Sequence, residues 1–351
     1  MNKISITSLC SIVLLIQGCS LVRTLNMKEH NFGRQAKHIV WFQIAGLSEE
    51  HFAMLKFSKK DEGALTSIER ASCLGNVWSY NLYKIRPTAE DAFIAQLTGS
   101  NDIVDSCKKF EKKYVWEMLD TMGFYSGVLE LQGSSVESKY LTSSRHLCSK
   151  ELRPKLNDMV MWKMSSRGKD DADSMVFHYQ DINSGKEESG IFFDRSCNES
   201  GCYSSILNNA KSLHKNYSTG KSQYLFMVRD FSYLEALSKK NVAQVQEILY
   251  ELDKTIQYFV DESMHDENML VLVTTAASKK LEFPKFGKEW FIFDKESEYL
   301  TFKSNALISP LYASGAGAEN FCGFYKEYEV TKRVVEAASK GKIKFKLLNF
   351  F

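Results

Sequence analysis

Tyr224-Leu225-Phe226-Met227-Val228 and Met269-Leu270-Val271-Leu272-Val273-Thr274-Thr275 are two short, almost wholly apolar runs. Each has the length of a strand buried on both faces. Between them Val242, Val245, Ile248, Leu249, Leu252, Ile256 and Phe259 recur at intervals of three and four residues, with charged side chains filling the other positions. That period places the apolar groups on one face of an α-helix. A strand, an amphipathic helix and a second strand in this order form a crossover unit, which makes the sheet parallel.

Working outward, the same reading predicts strands at 38–44, ending in Ala45-Gly46, and at 78–84 and 125–131. Helices are predicted at 90–98, 108–122, 203–214 and 330–339. The stretch of about 150–200 is more polar, with short strands at 159–164, 175–180 and 190–194, and reads as an insertion or cap on the sheet. The run 342–348 alternates lysine with Ile343, Phe345 and Leu347, as an edge strand does. Together these elements predict an α/β fold, a mostly parallel central sheet flanked by helices.

The 351 residues carry 44% hydrophobic and 25% charged side chains, the balance of a folded globular protein. Forty-five basic residues against 43 acidic ones leave a net charge of +2, too weak a field to make nucleic acid an expected partner. No internal repeat divides the chain, so a single domain over 37–351 is expected. Aromatic residues make up 13% of the sequence. Phe321, Phe324, Tyr325, Tyr328, Phe350 and Phe351, if exposed together, would suit a protein or glycan partner.

Lys3, the apolar run 4–16 and Ile16-Gln17-Gly18-Cys19 have the order of a lipoprotein signal. On this reading 1–18 is removed, Cys19 is lipidated, and 19–36 forms a linker. The membrane is then reached through acyl chains rather than a spanning helix. Ser20 after the cysteine resembles the outer-membrane sorting signal of Gram-negative bacteria, which implies a cell-envelope location facing the periplasm or the surface. Export also permits disulfides among Cys73, Cys107, Cys148, Cys197, Cys202 and Cys322. Cys197 and Cys202, separated by a short polar turn, are the pair expected first.

Ligands of parallel sheets gather at the carboxyl ends of strands, and four such places resemble the alkaline phosphatase superfamily. The stretch from Ser309 through Gly315-Ala316-Gly317-Ala318-Glu319-Asn320-Phe321-Cys322-Gly323 is similar to that family's late Gly-x-Gly-Ala turn. Val271 to Ser278 resembles the strand that ordinarily closes on Asp-His. Ile44-Ala45-Gly46 stands where the family has Asp-Gly. Thr88-Ala89-Glu90-Asp91, leading to Leu97-Thr98-Gly99, resembles the helix that presents the nucleophile. The resemblance runs through nearly all of the chain after residue 36 and implies an α/β/α sandwich.

It also implies two divalent metals held by carboxylates and imidazoles, activating a serine or threonine. This sequence lacks those groups. The ligand positions read Ala45, Ala276, Ala277 and Glu319, and the nucleophile position is Ala89, or Glu90 with a one-residue shift. Arg229, Leu234 and Ser238 stand where the family brings a glutamate and an Asp-xxx-His. The expectation is a non-catalytic, phosphatase-like envelope lipoprotein without a metal cofactor, acting as a binding or scaffold protein. The alternative is a divergent hydrolase of phosphate or sulfate esters, with a rebuilt zinc or other divalent site. Thr88 would then be a displaced nucleophile and Asp91, Asp230, Glu235, Glu319 and His38 extra donors. Arg229 at a strand end is the candidate grip for an anion.

Overall fold

The computed structural model describes residues 30–57, 64–103, 112–131, 159–164, 175–177, 190–194, 196–198, 201–202, 204–296 and 305–339. Cys19 and its signal, Cys107, Cys148, the 342–348 run, Phe350 and Phe351 lie outside them. The strands are β1 (His38–Ala45), β2 (Cys73–Trp78), β3 (Tyr125–Leu131), β4 (Met159–Met164), β5 (Met175–Phe177), β6 (Gly190–Asp194), the paired β7 (Cys197–Asn198) and β8 (Gly201–Cys202), β9 (Tyr224–Asp230), β10 (Met269–Ala276), β11 (Ile308–Gly315) and β12 (Gly323–Lys326). The helices are α1 (Phe52–Phe57), α2 (Ala89–Thr98), α3 (Val115–Asp120), α4 (Ile206–Gly220), α5 (Ser232–Ser238), α6 (Val242–His265), α7 (Trp290–Glu296) and α8 (Glu329–Ser339).

Ten strands form one sheet in the order β12-β2-β11-β10-β1-β9-β3-β4-β6-β5. β1 lies at its centre, pairing in parallel with both β9 and β10, as the crossover through α6 requires. β11 runs antiparallel to β10 and β2, a reversal that periodicity does not reveal. The expected insertion is built into the sheet: β4, β6 and β5 continue the parallel pairing from β3.

Each sheet face has its own core. Val40, Phe42, Phe226, Val271 and Val273 pack with α4 and α6 through Tyr217, Leu249, Ile256 and Phe259. Ile39, Trp41, Leu225, Met227, Leu270 and Leu272 pack on the other face, with Leu97, Val115, Leu119, Val330 and Val334 of the opposite helices. Alternate residues of one strand thus feed two layers, which is why β1, β9 and β10 are apolar at nearly every position.

Several boundaries differ from those expected. The strand expected at 78–84 is found at Cys73–Trp78, because Asn81 Oδ1 accepts from the Tyr83 and Lys84 N–H groups and turns the chain there. The helix expected at 203–214 starts later, at Ile206, where the Ser205 hydroxyl accepts from the Asn208 N–H, and runs on to Gly220. Cys197 is bonded to Cys202 as expected, and Cys73 to Cys322, joining the starts of β2 and β12. No helix among the described residues is long and apolar enough to cross a membrane.

Candidate functional site

The carboxyl ends of β1, β9 and β10 lie side by side, Ala45 opposite Ala276 and Ile44 opposite Asp230. The N-terminus of α2 comes down on them. Thr88 caps this helix, its hydroxyl accepting from the Asp91 N–H at 3.2 Å, and Gly99 ends it in the left-handed conformation at φ 68°. The sequence therefore delivers a helix N-terminus to the strand ends, the place where an anion would be received.

Apolar side chains occupy it. Ala45, Ala276 and Ala277 pack with Ala89 and Ala92 of α2, and Phe93 and Phe231 close the group, with Leu234 laid against it. None of the five alanines or two phenylalanines exceeds 4% exposure. The Phe93 and Phe231 rings meet edge to face, with centroids 5.6 Å apart. The expected Ala45, Ala89, Ala276 and Ala277 thus converge, and they form a small core of their own. Ala277 sits at φ 51°, left-handed for a non-glycine residue, so the turn after β10 keeps a demanding geometry with no donor to present.

Glu319 is not part of this group, which corrects its place as a ligand position. β11 runs antiparallel, so its last residue, Gly315, pairs with Leu270 near the start of β10. Glu319 follows at that opposite end and accepts the Gly33 N–H at 2.8 Å. His38 is removed from the set of extra donors for a similar reason: it begins β1, and its Nδ1 is bonded to Asp266.

The polar residues nearer the crevice are engaged in structure. The Asp230 carboxylate accepts from the Ser232 N–H, the Ser232 hydroxyl and the Tyr233 N–H at the start of α5, while burial pushes its pKa up to about 6. Asp91 pairs with Lys84 at 2.9 Å and Glu235 with Lys239 at 2.7 Å. The Ser238 hydroxyl donates to the Leu234 carbonyl inside α5. Arg229 is fully buried, with Nη1 3.8 Å from Glu130, and Lys163 approaches the same carboxylate at 3.4 Å. Strand register sets this row, Arg229 opposite Glu130 and Glu130 opposite Lys163. The anion that Arg229 faces here is internal.

Two further polar groups escape sequence reasoning. His51 is buried between the loops after β1 and β10. Its Nε2–H donates to the Lys279 carbonyl at 2.7 Å, and its Nδ1 accepts from the Tyr233 hydroxyl at 2.8 Å. Burial lowers its pKa to about 4, which keeps the ring neutral. Glu327, just past β12, is also buried. Gln96 Nε2 donates to its Oε1 at 3.0 Å, Ser79 reaches it at 3.4 Å, and burial raises its pKa to about 8. Gln96 is held in turn by Thr274, and Ser79 by Ser309. No local pattern marks either residue, since each partner arrives from a remote segment.

Solved structures show the same architecture. Alkaline phosphatase from the Antarctic bacterium TAB5 superposes with a TM-score of 0.63, at 13% identity, over 88% of this chain and 100% of that one. The fold is that of an alkaline phosphatase. The cold-active alkaline phosphatase of the psychrophile Shewanella sp. gives 0.66 at 9% identity over 86% and 100% of the two chains, and that of Thermus thermophilus 0.62 at 10% over 93% and 96%. No sequence-family model and no curated relative matches. Among the described residues, no group of three or more His, Cys, Asp or Glu side chains is placed to hold a metal ion. The side chains at the ends of β1 and β10 do not fit the metals of the alkaline phosphatase fold: a methyl group offers no lone pair, and the one carboxylate beside them, Asp230 at the end of β9, is held by Ser232 and Tyr233.

Proposed function

We propose that this chain is a non-catalytic protein of the alkaline phosphatase fold, held to the cell envelope by a lipid on Cys19 and serving as a binding or scaffold protein. The observation that carries this reading is the apolar packing of Ala45, Ala89, Ala276, Ala277, Phe93 and Phe231 over the strand ends. Hydrolysis of a phosphate ester would need a nucleophile and a stabilised oxyanion at that position. Thr88, the remaining hydroxyl at the head of α2, is engaged in capping the helix.

The test uses purified chain lacking residues 1–18. Metal content, turnover of phosphate and sulfate esters, and melting with and without chelator are measured together. The expected outcome is no stoichiometric metal, no turnover above buffer, and an unchanged Tm in chelator. Stoichiometric zinc, with turnover abolished by Thr88→Ala, would replace this reading with the hydrolase. Mass spectrometry of the mature N-terminus tests the anchor separately.

A further inference from the structure

One edge of the sheet leaves a face open. Along β2 the odd-numbered Cys73 and Val77 enter the core, whereas Leu74 and Trp78 point out and are exposed. β12, the outermost of the described strands, continues this face: Phe324 is 62% exposed and its ring lies 6.3 Å from that of Trp78. Leu74 on this face is 58% exposed, and Tyr80, just past β2, is exposed and close enough to Lys326 to act on its charge. Lys326, also exposed, stands opposite Trp78 across the strand pair. Isolated exposed hydrophobic residues are ordinary, but Leu74, Trp78 and Phe324 share one face of two paired strands, and apolar groups gathered in this way mark a contact. Aromatic rings and an aliphatic side chain beside a lysine have the composition of a membrane-interface surface.

The N-terminal segment meets the domain at the same edge. His30 Nδ1 lies 2.9 Å from the Ser72 hydroxyl, one residue before β2 begins. The segment between Cys19 and His30 reaches at most about 40 Å when fully extended. β2 itself is six residues long, roughly 20 Å. A chain held at Cys19 therefore has its open face within reach of the leaflet that holds it.

We propose that the open face of β2 and β12, carrying Leu74, Trp78 and Phe324, is a lipid-contact surface that lies on the anchoring leaflet. Trp78 and Phe324 enter the headgroup layer, and Lys326 meets anionic headgroups. The proposal rests on the lipoprotein reading for the source of the lipid. The surface itself stands on exposure and on the position of His30.

The test supplies the tether artificially, so that the fate of Cys19 does not decide it. Chain 20–351 with an N-terminal hexahistidine is bound to vesicles of phosphatidylethanolamine and phosphatidylglycerol, 3:1, doped with nickel-chelating lipid and brominated acyl chains. Trp78 is 41% exposed and Trp290 is half-buried, whereas Trp41, Trp116 and Trp162 are buried, so every chain compared carries Trp290→Phe. Brominated lipid should quench the tether-bound chain, and Trp78→Phe should remove most of that quenching. The double variant Leu74→Ser, Phe324→Ser should reduce it at least twofold with Trp78 retained. Equal quenching in wild type and Trp78→Phe would overturn the proposal. So would a stable dimer in sedimentation whose formation hides Trp78 from the vesicles. An unmodified Cys19 in the natural protein would sink the anchor reading, while quenching through Trp78 would still uphold the surface.

Discussion

Glu327→Gln should make the protein more stable at neutral and alkaline pH. The ordinary glutamate carboxyl titrates at 4.5, whereas in the fold burial holds that of Glu327 at about 8. Between those values the unfolded chain has released a proton that the folded chain retains. Stability therefore falls as pH rises through this window and levels off above about 8. A difference of some 3.5 units at about 1.36 kcal/mol each corresponds to roughly 5 kcal/mol in all. Glutamine has the shape of the neutral acid, keeps an oxygen for Gln96 and Ser79, and does not titrate. The assay is urea unfolding of wild type and variant at pH 5, 7 and 9. At pH 5 the two should differ by no more than about 1 kcal/mol, the worth of an altered hydrogen bond. By pH 9 the variant should lead by several kcal/mol. Other titrating groups cancel in the difference between the two proteins. Parallel pH profiles would refute the placing of Glu327 as a neutral buried acid.

The opposite slope is expected for His51, whose folded pKa of about 4 lies below its ordinary 6.5. Stability should drop as pH falls from 6.5 towards 4, and His51→Gln should flatten that limb in the same urea series. Ala276→His, which puts an imidazole into the Phe93–Phe231 cluster, should destabilise the fold by about 2–4 kcal/mol, with zinc leaving its Tm unchanged. Removing the Cys73–Cys322 bond with the double variant Cys73→Ala, Cys322→Ala should cost up to about 5 kcal/mol in chemical unfolding, because the closed loop spans nearly the whole domain.

The central layer of the fold could be read from residues alone. β1, β9, α6 and β10 follow from uninterrupted apolar runs and a clear helical period, because strands buried on both faces and long amphipathic helices leave the strongest patterns. β12 escaped because Gly323–Lys326 is four residues long and only Tyr325 among them is buried. The strand after Cys73 was displaced towards 78–84 because that loop is as aromatic as a strand. At the site, the replacement of donors by Ala45, Ala276 and Ala277 was legible residue by residue. Glu319 was misplaced because residue order does not disclose that β11 runs backwards. The meeting of Phe93 with Phe231, and of His51 with Tyr233, joins segments remote in sequence that no periodicity connects.

The Cys73–Cys322 bond spans a sequence separation of 249 residues. During synthesis the first thiol is therefore exposed to premature partners, including the other cysteines, for most of the time the chain takes to appear. Correct oxidation can follow only after β12 has been made and has settled beside β2. This covalent link thus forms only in a chain made as far as β12, and a truncated product ending before residue 322 would keep the Cys73 thiol open to exchange.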